Sequence, residues 1–150
     1  MQVIIRETKE AATELAAQVV ARQLACKPNT VLGLATGRTM EGLYARLVRM
    51  HRDEELDFSL AVTFNLDEYV GLPPDNPGSY RYYMNHHLFG HVNIDGRNTH
   101  LPDGMAADPE AAGAAYDALI QDHGGIDLQI LGIGKTGHIG FNEPLSAMFS

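Results

Sequence analysis

Apolar positions follow two alternating rhythms along this chain: short unbroken runs, and stripes spaced three and four residues apart. The runs predict strands over 3–5, 31–35, 60–65, 99–101 and 126–133. The stripes predict helices. Thr8 caps the first, whose apolar face is Ala12, Leu15, Ala16, Val19, Val20 and Leu24, and Lys27-Pro28-Asn29 stops it. A second follows the turn 36–39, with Leu43, Tyr44, Leu47 and Val48 on one face. Asn76-Pro77 opens a third, which holds Tyr80, Tyr83, Met84 and Leu88. Asp108-Pro109-Glu110 caps a fourth, which runs to about His123 and stops at Gly124-Gly125.

Strands alternating with helices imply βαβ units: an α/β, Rossmann-like parallel sheet with helices on both faces. In such sheets, ligands bind beyond the carboxyl ends of the strands. The loops to inspect are therefore 36–39, 65–73 and 132–144. The last strand is strongly apolar and reads as central, buried on both faces, yet the sequence ends shortly after it. Either the sheet is small or the chain is part of something longer.

Composition narrows the class. The chain has 150 residues, 45% of them apolar and 20% charged, which fits a single domain over 1–150 and excludes disorder, collagen and coiled coil. Eleven Lys and Arg against nineteen Asp and Glu give a net charge of −8, which opposes nucleic-acid binding at long range. A small phosphorylated ligand remains open, because backbone N–H groups can hold one. The single cysteine, Cys26, permits no intrachain disulfide and no multi-Cys zinc site; it reads as a buried, inert thiol. The start, Met1-Gln2-Val3-Ile4-Ile5-Arg6, carries no signal-peptide pattern, and no apolar run reaches membrane-spanning length. The expectation is a cytoplasmic protein with no membrane or nucleic-acid partner.

The three loops carry the least ordinary residues. Loop 132–144 contains G-x-G-x-x-G after a strand, but no helix and no acidic residue follow as a dinucleotide fingerprint needs. Its glycines, Gly137 among them, instead let backbone approach a ligand. His138 and Glu143 could fold back on each other, a carboxylate fixing an imidazole tautomer for acid–base work, or His138 could be structural. Asp67 and Glu68 directly follow a strand. One could be buried and suited to abstracting a proton, or both could be solvated turn residues. Thr36-Gly37-Arg38-Thr39 offers N–H groups, two hydroxyls and a helix dipole to a phosphate, or simply a capped turn.

Taken together, the loops resemble the glucosamine-6-phosphate deaminase (isomerase) family. The likeness lies in Leu34-Ala35-Thr36-Gly37-Arg38-Thr39, in Thr63 through Leu72 (TFNLDEYVGL), in Ser79-Tyr80, and in Gly132-Ile133-Gly134 with Gly137-His138-Ile139-Gly140-Phe141-Asn142-Glu143-Pro144. It runs from residue 1 to about 145. The resemblance implies isomerising deamination of glucosamine 6-phosphate to fructose 6-phosphate and ammonia, without metal or organic cofactor. It implies Asp67 as the base that moves a proton between sugar carbons 2 and 1, and His138 as the group assisting ring opening, oriented by Glu143. Thr136 stands where some members carry Asp, and is a supporting residue able to hydrogen-bond without charge. Thr36, Gly37 and Thr39 would hold the phosphate, with Arg38 and Gly137 in the substrate-binding set. Family members continue with further strands and helices and with a lysine on the phosphate. A homo-oligomer is left open.

Two rival readings stand beside this one. The chain could be a catalytically silent sugar-phosphate binder or a partner-dependent subunit. It could also be a sugar lactonase of the 6-phosphogluconolactonase kind, which typically shares the Gly-His part but not Phe141-Asn142-Glu143-Pro144.

Overall fold

The structure, a computed structural model, describes residues 2–144. Met1, the reach of the resemblance to residue 145 and the two ends of the 1–150 domain lie outside the described residues. Helix α1 (Lys9–Cys26) leads to β1 (Val31–Leu34), α2 (Arg38–Glu54) and β2 (Val62–Asn65). Helix α3 (Tyr80–His87), two 3-10 turns, β3 (Thr99–His100), α4 (Pro109–Asp122) and β4 (Leu128–Gln129) complete the order. All strand pairs are parallel, in the spatial order β3-β2-β1-β4. Strand β1 is buried throughout because it has a neighbour on each edge and helices against it.

Side chains alternate across the sheet, so Leu32 and Leu34 share one face. They pack with Ala17, Val20 and Leu24 of α1, with Leu43, Tyr44 and Leu47 of α2, and with Met84 of α3. Phe64 faces the other way and meets Tyr116 of α4 and His123 at its end, while His100 stacks on it with ring centroids 4.7 Å apart. Helices thus cover both faces, as the alternation predicts. The capping signals also hold. Thr8 accepts from Ala11, Asp108 accepts from Glu110 and Ala111, and Gly124 and Gly125 both take positive φ at the end of α4.

Five expectations need correction. Residues 3–5 form no strand, and Val3, Ile4 and Ile5 are exposed; β-forming side chains make a strand only against a ladder partner, and none of the four described strands lies beside them. The buried face of α1 is Ala17, Val20 and Leu24, whereas Ala12, Ala16 and Val19 are exposed. A helix with alanine all round leaves its stripe ambiguous. Cys26 is exposed, because two residues past Leu24 the helix has turned by about 200° away from the core. Helix α3 begins at Tyr80, not at Pro77. Asn76 Oδ1 accepts from Gly78 N–H and Asn76 O from Ser79 N–H, closing a turn before Ser79 caps the helix through Tyr82 N–H.

The fifth correction concerns the last strand. Among the described residues β4 is a two-residue strand at the edge of the sheet, and exposure alternates along 128–133, with Gln129, Leu131 and Ile133 open. An edge has one neighbour, so an apolar run there is half covered. Asp127 fastens this edge: its carboxylate accepts from Lys27 Nζ at 2.6 Å and from Val31 N–H at 2.9 Å. The Lys27 bond first, and the Val31 amide next, hold that carboxyl below its ordinary range.

A folded-state pKa lower than the unfolded one stabilises the fold above the carboxylate range and is lost as pH falls through it. Asp127→Asn should therefore unfold at lower urea than the native chain at pH 7, with the two converging once pH falls below the lowered Asp127 range. Urea midpoints at pH 7 and below that range check this.

Candidate functional site

Leu34 lies opposite Asn65, so β1 and β2 end level and the segments after them leave side by side. Leu66 N–H donates to Leu34 O at 3.0 Å, extending the pairing by one residue. Beyond this point lies a cavity of about 250 Å³. Its walls are Thr36, Gly37, Arg38 and Thr39 after β1, Leu66 and Asp67 after β2, Tyr80 at the start of α3, and Gly134, His138 and Gly140 after β4.

The first wall is a strand-to-helix turn with its carbonyls tied back. Tyr44 Oη donates to Ala35 O, and Tyr83 Oη donates to Gly37 O at 2.9 Å. A trans peptide points its C=O and N–H in opposite directions, so the N–H groups of Thr36 and Arg38 face away from the tyrosines. Gly37 takes φ 108°, a conformation that suits glycine, and among the described residues no side chain caps α2. A helix N-terminus with amides, hydroxyls and a positive dipole end suits an anion. Arg38 itself is exposed.

The second wall carries Asp67, which is half-buried. Burial first, and the charge of neighbouring Glu68 second, push its carboxyl up to about 6. Tyr80 Oη donates to Tyr69 Oη at 3.3 Å, and burial followed by that bond raises the Tyr80 hydroxyl to about 12. It therefore stays protonated at neutral pH.

The third wall folds on itself. Gly134 N–H donates to His138 O at 2.8 Å, and Gly137 N–H donates to Gly134 O at 2.9 Å. A Cβ on Gly134 would collide with the His138 ring. At Gly140, φ is 57°, and a Cβ would press on Leu66 and stand 3.2 Å from Asp67 Oδ2. These two glycines let the His138 loop lie against the segment that carries Asp67.

Thr136 joins His138 to Glu143. Its Oγ1 donates to Glu143 Oε2 at 3.0 Å and lies 2.9 Å from His138 Nδ1. A hydroxyl has one proton. With that proton on Glu143, Thr136 accepts from Nδ1–H, which assigns the proton to Nδ1 and leaves Nε2 with a lone pair. Glu143 Oε1 itself stands 3.6 Å from Nδ1, beyond hydrogen-bond range.

The structure thus brings Thr36, Gly37, Arg38, Thr39, Asp67 and His138 to one cavity, with Thr136 and Glu143 beside the imidazole rather than on the wall. Gly137 spends its N–H inside the loop and is not part of the lining. Sequence reasoning left Tyr80, with Tyr82 and Tyr83, as core or rim, or as a lid wall over the long loop; Tyr80 lines the cavity. It missed the anchors Tyr44 and Tyr83, and the cluster in which Tyr69, Tyr80 and Phe141 meet with centroids 4.8 to 6.0 Å apart. The aromatics Tyr69 and Phe141, each within a singled-out loop, were the available signal. Among the described residues, no group of three or more His, Cys, Asp or Glu side chains could hold a metal ion, and no helix is long and apolar enough to cross a membrane.

Residues 6–140 match the sequence family of glucosamine-6-phosphate isomerases/6-phosphogluconolactonase. The chain belongs to this family. A glucosamine-6-phosphate deaminase of Thermoanaerobacter sp. (strain X514) is 54% identical over 144 residues, 96% of this chain and 57% of that relative. The solved structure of a monomeric glucosamine-6-phosphate deaminase superposes with a TM-score of 0.94 at 45% identity, over 98% of this chain and 61% of that one. A 6-phosphogluconolactonase from Thermotoga maritima has a TM-score of 0.72 at 24% identity, over 93% of this chain and 62% of that one, and shares the fold. The chain spans about three-fifths of the length of the relatives it matches.

Two outcomes follow from the geometry of this family site. Gly134→Ala should leave far-UV circular dichroism unchanged but displace the His138 ring from Thr136, visible in the imidazole NMR signals. Asp67 presents the opposite sign to Asp127: a carboxyl raised in the folded state makes its ionised form a cost, felt as pH rises toward 6 and full above it. Asp67→Asn should accordingly raise stability at pH 8 by about 1 kcal/mol, after discounting for its partial exposure, and by less at pH 5. Thermal midpoints at the two pH values check this.

Proposed function

We propose that this chain carries the reacting centre of an isomerising glucosamine-6-phosphate deaminase. The observation that carries the reading is the meeting of Asp67 and His138 in one cavity, with a carboxyl raised toward neutral pH and an imidazole whose Nε2 is left as acceptor. Removing a proton next to a carbonyl needs a positioned, desolvated carboxylate, and opening a sugar ring needs a group that gives and takes protons near neutral pH.

In this reading the phosphate sits at the turn 36–39, against the N–H groups of Thr36 and Arg38, the Thr39 hydroxyl and the α2 dipole. Gly137 has no direct contact with it. His138 Nε2 takes the proton of the sugar O1 hydroxyl and hands it to the ring oxygen as the carbon 1–ring oxygen bond breaks, giving the open-chain aldehyde. Thr136 and Glu143 hold the imidazole in the matching tautomer. Asp67 then takes the proton from carbon 2 and returns it to carbon 1. One proton of the amine at carbon 2 passes to O1, so the carbonyl at carbon 1 becomes a hydroxymethyl group and carbon 2 carries an imine. Water adds to that imine and ammonia leaves, giving fructose 6-phosphate. The aromatic group Tyr69, Tyr80 and Phe141 shields the site on one side.

Support also comes from the relatives at about half identity named for this activity, and from the more distant standing of the lactonase. The finer expectations belong to the same proposal: a small-molecule sugar-phosphate substrate, a single domain and a cytoplasmic setting.

The purified chain given glucosamine 6-phosphate should release ammonia. Asp67→Asn and His138→Asn should each lower turnover by at least about a hundredfold while keeping the fold. Thr136→Ala should lower it less, because only the tautomer lock is lost. Lactone hydrolysis without ammonia release, or a ligand-induced thermal shift without turnover, would replace this reading with the lactonase or the silent binder.

A further inference from the structure

Glu68 sits beside Asp67, half-buried and outside the cavity lining. Its carboxylate accepts three backbone N–H groups: Oε1 from Tyr69 and Tyr80 at 2.8 Å each, and Oε2 from Arg81 at 2.9 Å. Tyr80 and Arg81 are the first two residues of α3, whose opening N–H groups have no partner within the helix. Ser79 serves the next two, its Oγ accepting from Tyr82 N–H and its carbonyl from Tyr83 N–H. The first two are thus capped by a side chain twelve and thirteen positions upstream, on a different segment.

We infer that Glu68 is the positioning residue of this site: its carboxylate bolts the segment that carries Asp67 to the helix turn that carries Tyr80. The inference rests on the reading of Asp67 as the proton-transferring base. A backbone tie on the very next residue restricts where Asp67 can stand, and a tie at Tyr80 N–H sets the facing wall by the same atom group. The effect is preorganisation of two walls by one side chain.

The charge of Glu68 matters as well as its reach. The Arg81 guanidinium is spent on Thr99, donating to its Oγ1 and its carbonyl at 2.8 Å each. Glu68 is therefore hydrogen-bonded by backbone amides rather than by the guanidinium, and its charge acts on Arg81 as well as on Asp67. The other groups around Asp67 are the Tyr80 and Tyr69 hydroxyls, with Arg38 and His138 across the same cavity. Burial raises the Asp67 carboxyl first and Glu68 second. A more basic Asp67 is a better proton acceptor, so the same residue places the base and strengthens it.

The test follows the Asp67 carboxyl carbon by NMR titration in the full chain, native and Glu68→Gln, with steady-state kinetics beside it. The amide keeps the arm length and removes the charge. The Asp67 midpoint should fall below the native value, the Tyr80 and Arg81 amide signals should shift, and kcat should drop about tenfold with KM within about threefold. An unmoved Asp67 midpoint, or an unchanged kcat, overturns the inference. Glu68→Asp supplies a second arm, needed if Glu68→Gln fails to fold. It keeps the charge and shortens the reach, so the Asp67 midpoint should stay high while kcat falls; a native kcat there overturns the positioning role. If the native chain releases no ammonia, the functional reading fails on its own, and the midpoint and amide shifts still decide whether Glu68 sets Asp67.

Discussion

The in-register parallel pairing of β1 with β2 is the constraint on which the site depends. Two parallel strands that end level must release their chains at the same height and in the same direction. Leu34 opposite Asn65 does this, so the turn 36–39 and the segment that carries Asp67 become walls of one cavity without any side chain having to reach far. Pairing of β1 with β4 then delivers the third loop to the same end. A shift of one residue in either register would carry Asp67 or His138 to the wrong side of the sheet. Hence the burial of β1 on both faces is also what secures the chemistry at its end.

Much of this arrangement was legible in the sequence. Val31 to Leu34, the caps at Thr8 and Asp108, and the glycine pair after α4 are local signals with local causes, and each appears where its chemistry demands. The three loops were found for a topological reason rather than a local one, since parallel strands gather their carboxyl ends. What was not legible depended on partners far apart in sequence. The apolar run at residues 3–5 carried the pattern of a strand but lacked a neighbour. The stripe of α1 was blurred by alanine, and only the sheet chose which side to bury. Cys26 followed that same rotation outward. The run at 126–133 has the composition of a central strand, and among the described residues only β1 lies beside it.

The site divides in the same way. Asp67 and His138 stand out in the sequence because they sit in unusual loops, but the way they are held does not. The tyrosines that hold back the carbonyls of Ala35 and Gly37 lie on α2 and α3, nine and 46 positions downstream. The Thr136 hydroxyl carries the hydrogen bonds between His138 and Glu143, whose own Nδ1 and Oε1 atoms stand 3.6 Å apart, and spacing alone cannot distinguish this from a direct hydrogen bond. Asp67 and Asp127 show how one residue type serves opposite ends. The first gives up stability for basicity by burial beside a like charge; the second gains stability from a cation and an amide.

The outward turn of α1 at its last residue has a practical side. Cys26 is the single thiol of the chain, it is exposed, and it precedes the amino end of β1, whereas the cavity opens beyond the carboxyl ends of the strands. A maleimide dye or a surface linker attached there would sit at the opposite end of the sheet from the ligand. Within these 150 residues that thiol is thus a handle for immobilisation in one orientation, with the cavity facing solution.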